Sequence, residues 1–97
     1  MPAYISLCQW TQKGIENVKQ SPSRLDVAKK AFKAAGGELK AFYMTLGRYD
    51  FVTISEFPDD ATAAKAVLTL SSAGSIRTET LKAFTEDEYR KVIGSLP

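Results

Sequence analysis

Histidine is absent from this chain of 97 residues. That absence excludes imidazole acid–base catalysis, a histidine-ligated haem iron and nearly every zinc site. Cys8 is the single cysteine and has no partner for an internal disulfide. No run of about 18 apolar residues occurs, so no membrane span is expected. The opening Met1-Pro2-Ala3-Tyr4 lacks the basic and apolar blocks of a signal peptide, and a cytoplasmic location is expected. Neither sign of charge dominates, since 13 Lys and Arg stand against 11 Asp and Glu. With no basic block or stripe, nucleic acid is not an expected partner. Phosphate-loop and dinucleotide glycine patterns are missing, and Ser21, Ser71 and Ser72 lack a nucleophile-elbow context. No cofactor is implied, and a carboxylate-only metal site has no recognisable spacing here.

What is present fits one globular domain, residues 1–97, with 44% hydrophobic and 25% charged residues. A domain of this size buries only ~60–70% of its unfolded surface on folding, so an oligomeric contact would add stability.

Tyr4 to Trp10 alternates with period two and reads as a strand. Thr11 caps a short helical turn holding Ile15 and Val18. Ser21 at the N-cap and Pro22 at the first helical position start a longer helix. Its buried stripe is Leu25, Ala28, Phe32 and Ala35, and Gly36-Gly37 ends it. Glu38 to Leu46 and Asp50 to Glu56 read as strands joined by the three-residue loop Gly47-Arg48-Tyr49. Pro58-Asp59-Asp60 opens a second helix, with Ala61, Ala64, Val67 and Leu68 toward the core and Gly74 at its close. Ile76 to Phe84 is a fourth strand. Thr85 and Glu88 form a capping box for a last helix carrying Tyr89, Val92 and Ile93, stopped by Gly94. The order β-α-β-β-α-β is the ferredoxin-like α+β fold, an antiparallel sheet in order 4-1-3-2 with an added C-terminal helix.

The loop sets an expected register of Leu46 opposite Asp50, Met44 opposite Val52 and Phe42 opposite Ile54. These aliphatic positions, with Ile5, Leu7, Leu81 and Ala83, are then expected beneath the helices. The other face collects Tyr4, Ser6, Cys8, Trp10, Tyr43, Phe51, Thr53, Thr78, Thr80 and Phe84. It is too aromatic to leave in water, so Tyr4, Trp10, Tyr43, Phe51, Thr53 and Thr78 are expected in a symmetric homodimer interface. The alternative is that the terminal helix folds back over that face.

Strand direction brings Gln9, Asp50, Arg77 and Glu79 to one end of the sheet, with Tyr49 in the adjoining loop. Placed on the helix side, they would border a pocket for a small organic molecule. Arg77, Gln9 and Tyr49 would bind it, and Asp50 or Glu79 would act as proton acceptor. The structural alternatives are an ion-pair network for Arg77, Glu79 and Asp50, and hydrogen bonds from hairpin amides to Asp50. Tyr49 reads equally as a loop anchor. Cys8 reads as a small hydrophobe and Trp10 as a packing anchor.

Gly47-Arg48-Tyr49-Asp50-Phe51 follows Phe42-Tyr43-Met44-Thr45-Leu46 and carries a Gly-Tyr-Asp signature. With Tyr4-Ile5-Ser6-Leu7, Trp10-Thr11, Gly14-Ile15, Ser21-Pro22-Ser23-Arg24, Pro58-Asp59-Asp60 and Ile76-Arg77-Thr78-Glu79-Thr80-Leu81, the chain resembles the GYD-domain family over nearly its whole length. The resemblance implies a dimeric α+β barrel, two units pressed sheet on sheet, and leaves a higher oligomer built from such dimers open. It marks Gly47, Tyr49 and Asp50 as family residues without assigning them an activity. Three functions stay open: a small-molecule-binding homodimer, a cofactor-independent enzyme on a carbonyl, phenolic or lactone substrate, and an assembly protein.

Overall fold

Alternating side chains make Ala3–Trp10 β1, one of the two inner strands of a four-stranded sheet, in a computed structural model that describes residues 1–97. There follow α1 (Gln12–Glu16), a single 3-10 turn (Val18–Gln20), α2 (Ser21–Ala34), β2 (Glu38–Met44), β3 (Phe51–Glu56), α3 (Asp60–Ser72), β4 (Ile76–Ala83) and α4 (Glu86–Gly94). The strands lie in the order β2-β3-β1-β4 and every neighbouring pair is antiparallel. This is the expected ferredoxin-like arrangement with an added C-terminal helix. No helix is long and apolar enough to cross a membrane.

Local chemistry sets the helix ends. The Thr11 side chain accepts from the Gly14 amide at 3.2 Å, and Asp59 accepts from the Thr62 amide at 2.7 Å. Both halves of the capping box form on α4: the Thr85 amide donates to Glu88 Oε1 at 2.9 Å, and the Glu88 amide donates to Thr85 Oγ1 at 3.2 Å. Ser21 is not an N-cap. The 3-10 turn runs straight into α2, so Ser21 is its first helical residue and no side chain caps the start. Gly36, at φ 85°, ends α2 in the left-handed region that glycine tolerates.

The hairpin register differs from expectation. Met44 stands opposite Phe51, Tyr43 opposite Val52 and Phe42 opposite Thr53, with an irregularity between Leu39 and Ala41. The connection is longer than three residues, and it is closed by the Thr45 amide on the Asp50 carbonyl at 2.9 Å. Leu46, expected in the strand, is 97% exposed in this loop. A one-residue slip turns a strand over, so Phe42 and Met44 leave the aliphatic face and Tyr43 joins it.

The two sheet faces are also inverted. Tyr4, Ser6, Cys8, Phe51, Thr53 and Ser55 are buried on the helix side. Ile5, Leu7, Val52, Ile54 and Leu81 lie on the open side, with Ile54 and Leu81 exposed. The expectation failed because it ranked faces by aliphatic content. The helix side gets its apolar mass from aromatic rings instead. Phe32 of α2 meets Phe57 edge-on at 4.9 Å between centroids, and Tyr4 meets Phe57 at 6.0 Å. Ala63 completes this core, with Leu39, Ala66 and Leu70 against it. Phe57, 1% exposed, is its centre, and its burial is worth roughly 1.5–3 kcal/mol.

The buried stripe of α3 therefore runs through Ala63, Ala66 and Leu70. Ala61, Ala64 and Leu68, expected to face inward, are exposed. Ala64 follows Ala63 by one residue, about 100° round the helix, and Leu68 is one turn further along the same outer side. On α2, Ala28 and Phe32 are buried as expected, whereas Ala35 lies past the helix end and is exposed. α4 buries none of its residues, and Tyr89, Val92, Ile93 and Leu96 remain about half exposed. It does not fold back over a sheet face, and the molecule extends 52 × 31 × 18 Å.

Candidate functional site

Small side chains beneath the helices leave room. Ser6, Cys8 and Thr53 occupy positions where Leu or Ile would fill the gap between sheet and helices. The result is a cavity of about 460 Å³ bounded by the sheet, α2 and α3. That volume is in the range of small-molecule sites.

The floor of the cavity is Ser6, Cys8, Trp10, Phe51, Thr53 and Thr78. Phe42 stacks on Phe51 at 5.2 Å, and Trp10 tilts against the same ring at 5.7 Å. The Ser6 and Thr80 hydroxyls share a hydrogen bond of 3.0 Å. Burial pushes the Cys8 thiol up to about 12, so it stays protonated and is a poor nucleophile. The roof comes from Leu25, Ala28 and Phe32 of α2 and Val67 and Leu70 of α3.

Arg24 is the one charged side chain in this lining. Its Nη1 donates to the Asn17 carbonyl at 3.0 Å, while its Nη2 is buried without a partner. The sequence carried a signal for it that the helical reading passed over. Arg24 precedes Ala28 by four residues and Phe32 by eight, so it stands on the same inward stripe.

The residues expected to carry chemistry lie elsewhere. Gln9, Tyr49, Asp50, Arg77 and Glu79 do not line the cavity. Gln9, Arg77 and Glu79 share the open side with Leu7, because register pairs Gln9 with Arg77 and Leu7 with Glu79. Face inversion thus moved them away from the helices. They do gather at one end of the sheet, as expected. The Tyr49 hydroxyl donates to Glu79 Oε2 at 3.1 Å, and this bond raises the phenol above its ordinary value. Gln9 Nε2 donates to the Arg48 carbonyl at 2.7 Å, and the Arg48 guanidinium lies 5.7 Å from the Tyr49 ring centroid. Asp50 Oδ2 accepts from the Trp10 amide at 2.8 Å. These contacts fasten the hairpin to β1 and β4. The expected interface residues divide likewise. Tyr43 is exposed on the open side, whereas Tyr4, Trp10, Phe51, Thr53 and Thr78 turn toward the helices. No cluster of three or more cysteine or carboxylate side chains is placed to hold a metal ion.

Comparison with known proteins gives three findings. The family model described as GYD domain matches residues 4–93. A protein of Thermus thermophilus, described as glutamine synthetase and cystathionine beta-lyase binding protein, is 40% identical over 84 residues, covering 86% of this chain and 88% of its own length. The crystal structure of TTHA0845, also from Thermus thermophilus, superposes with a TM-score of 0.56 at 22% identity, over 88% of this chain and 95% of that one. The last likeness concerns the fold alone.

Proposed function

The chain belongs to the GYD-domain family, and from that premise we propose a homodimeric binding protein that associates with metabolic enzymes and holds a small organic molecule in its cavity. The observation that carries this reading is the unpartnered open face of the sheet. Ile54, Ile5 and Leu81 form one row across β3, β1 and β4, flanked by Leu7 and Val52. A contiguous aliphatic face of this kind supports association through it. A second copy would bury it symmetrically, and α4 offers a further apolar stripe.

The relative described as binding glutamine synthetase and cystathionine β-lyase aligns along most of both chains. That supports enzymes of the same two kinds as partners, and a cytoplasmic location goes with them. The cavity supports the small-molecule part of the reading. Catalysis finds less support, because no carboxylate lines the cavity and its only thiol is held protonated.

The test combines light scattering of the purified protein with biolayer interferometry against glutamine synthetase and cystathionine β-lyase from the same organism. A mass of two chains at micromolar concentration and saturable binding to at least one enzyme are expected. A monomer that binds neither enzyme overturns the proposal.

A further inference from the structure

We propose that the cavity takes an amphipathic monocarboxylate, with its carboxylate on Arg24 and its apolar body between the sheet and α2. The inference rests on the reading of the cavity as a small-molecule site and names the class of molecule.

Arg24 is the only charge in the lining, and it is a cation. None of the ion pairs in the structure includes it; they join Lys40 to Glu38, Lys82 to Asp60 and Arg90 to Glu86. Its Nη1 is anchored on the Asn17 carbonyl and its buried Nη2 lacks an acceptor. A guanidinium hydrogen without a partner inside a protein is unfavourable by the desolvation of that group. A carboxylate relieves it best, since the planar fork of arginine matches two carboxylate oxygens. Nη2 is itself buried, so pairing with a ligand in the cavity requires the guanidinium to turn about its terminal torsions. Ser21 and Ser23 line the same end of the cavity and offer hydroxyl donors beside it. Gln20 adds one amide to the lining, and the rest of the wall is ring carbon, aliphatic carbon, hydroxyls and a protonated thiol, which suits an apolar body. One cation in an apolar enclosure selects a single negative charge. A dianion would leave its second charge desolvated and unpaired.

Trp10 is the one tryptophan of the chain and lines this cavity, so its emission reports occupancy. The experiment titrates the intact protein with octanoate, octanamide and octylamine, which share one chain and differ in head-group charge. Octanoate is expected to shift Trp10 emission and to bind roughly ten- to a hundred-fold more tightly than octanamide, as a charged hydrogen-bonded pair implies. Octylamine is expected to bind least. In Arg24→Met, which keeps an apolar stem, the preference for octanoate over octanamide should vanish while octanamide affinity stays. Arg24→Lys should retain part of it.

Equal binding of octanoate and octanamide, or an unchanged preference in Arg24→Met, overturns the assignment to Arg24 and leaves the cavity reading standing. No response of Trp10 to any of the three overturns both. If Arg24→Met does not fold, the comparison of head groups on the intact protein still decides.

Discussion

Asp50 holds the end of β1 at two points. Its Oδ2 accepts from the Trp10 amide at 2.8 Å, and its own amide donates to the Cys8 carbonyl at 2.9 Å. The carboxylate thereby stands in for a backbone acceptor where the β1–β3 ladder runs out. Asp50→Ala should leave the Trp10 amide without its partner and lower unfolding stability by about 1–2 kcal/mol. Asp50→Asn keeps a side-chain oxygen and should recover part of that loss. Urea unfolding followed by circular dichroism measures both, and equal stability of all three proteins would remove the structural role assigned to Asp50.

Gly14 presses against the loop before β4. A Cβ added there would overlap the Ser75 carbonyl oxygen, close to where that oxygen accepts from the Thr11 amide at 3.1 Å. Gly14→Ala should therefore force α1 away from the start of β4 and destabilise by about 1–3 kcal/mol, the usual penalty of overpacking. Hydrogen exchange should show faster exchange at the Thr11 amide. An alanine variant of undiminished stability would show that α1 can shift freely.

Alkaline pH should weaken the fold through two buried groups. Burial, and then the bond to Asp60, raise Tyr4 from 10.0 to about 12, and burial raises Cys8 from 9.0 to about 12. Both are acids that the folded state keeps protonated. Their contribution is fully present below the unfolded values and is lost as pH climbs through 9 and 10 toward 12. Tyr4→Phe should flatten the upper part of that profile when unfolding is measured at successive pH values.

The same Tyr4→Phe variant reads out at acid pH. The Tyr4 hydroxyl donates to Asp60 Oδ1 at 2.5 Å, and this bond, followed by that from Lys82, holds Asp60 below its ordinary value of 3.8. A depressed carboxylate contributes stability above its unfolded value and loses it as pH falls through the folded one. Removing the hydroxyl should raise the Asp60 titration midpoint in a carbon-detected NMR titration. An unmoved midpoint would mean that the bond does not persist in solution.

Charge on the open face should separate the proposed dimer. Leu81 is 52% exposed opposite Ile5, so Leu81→Glu has little to disturb in a single chain. Paired across a symmetric contact it would bury two like charges, and sedimentation should then find one chain where the parent gives two. Persistence of the dimer in both Leu81→Glu and Ile54→Lys would move the contact to α4.

Much of the fold was legible along the chain because its signals are local. The capping box at Thr85 and Glu88 needs four residues, the end of α2 needs Gly36, and strand periodicity is visible in β1 alone. Element order with right-handed crossovers then gave the sheet order. The candidate site was less legible. Gln9, Arg77 and Glu79 were expected at the correct end of the sheet, yet on the wrong side of it. Arg24 stood in the sequence only within the Ser21-Pro22-Ser23-Arg24 match, with no role in a pocket.

The sequence by itself determined which segments are helix and strand, how they are ordered, and that one sheet face is aliphatic and the other aromatic and hydroxylated. Tertiary structure alone decided which face the helices cover. Alternation is blind to direction, since exchanging the two sides leaves the period of two unchanged. Only the packing of Phe32 and Phe57 against Tyr4 makes the aromatic face the inner one. Only then do the small side chains of Ser6, Cys8 and Thr53 become the floor of a cavity, with Arg24 at its wall.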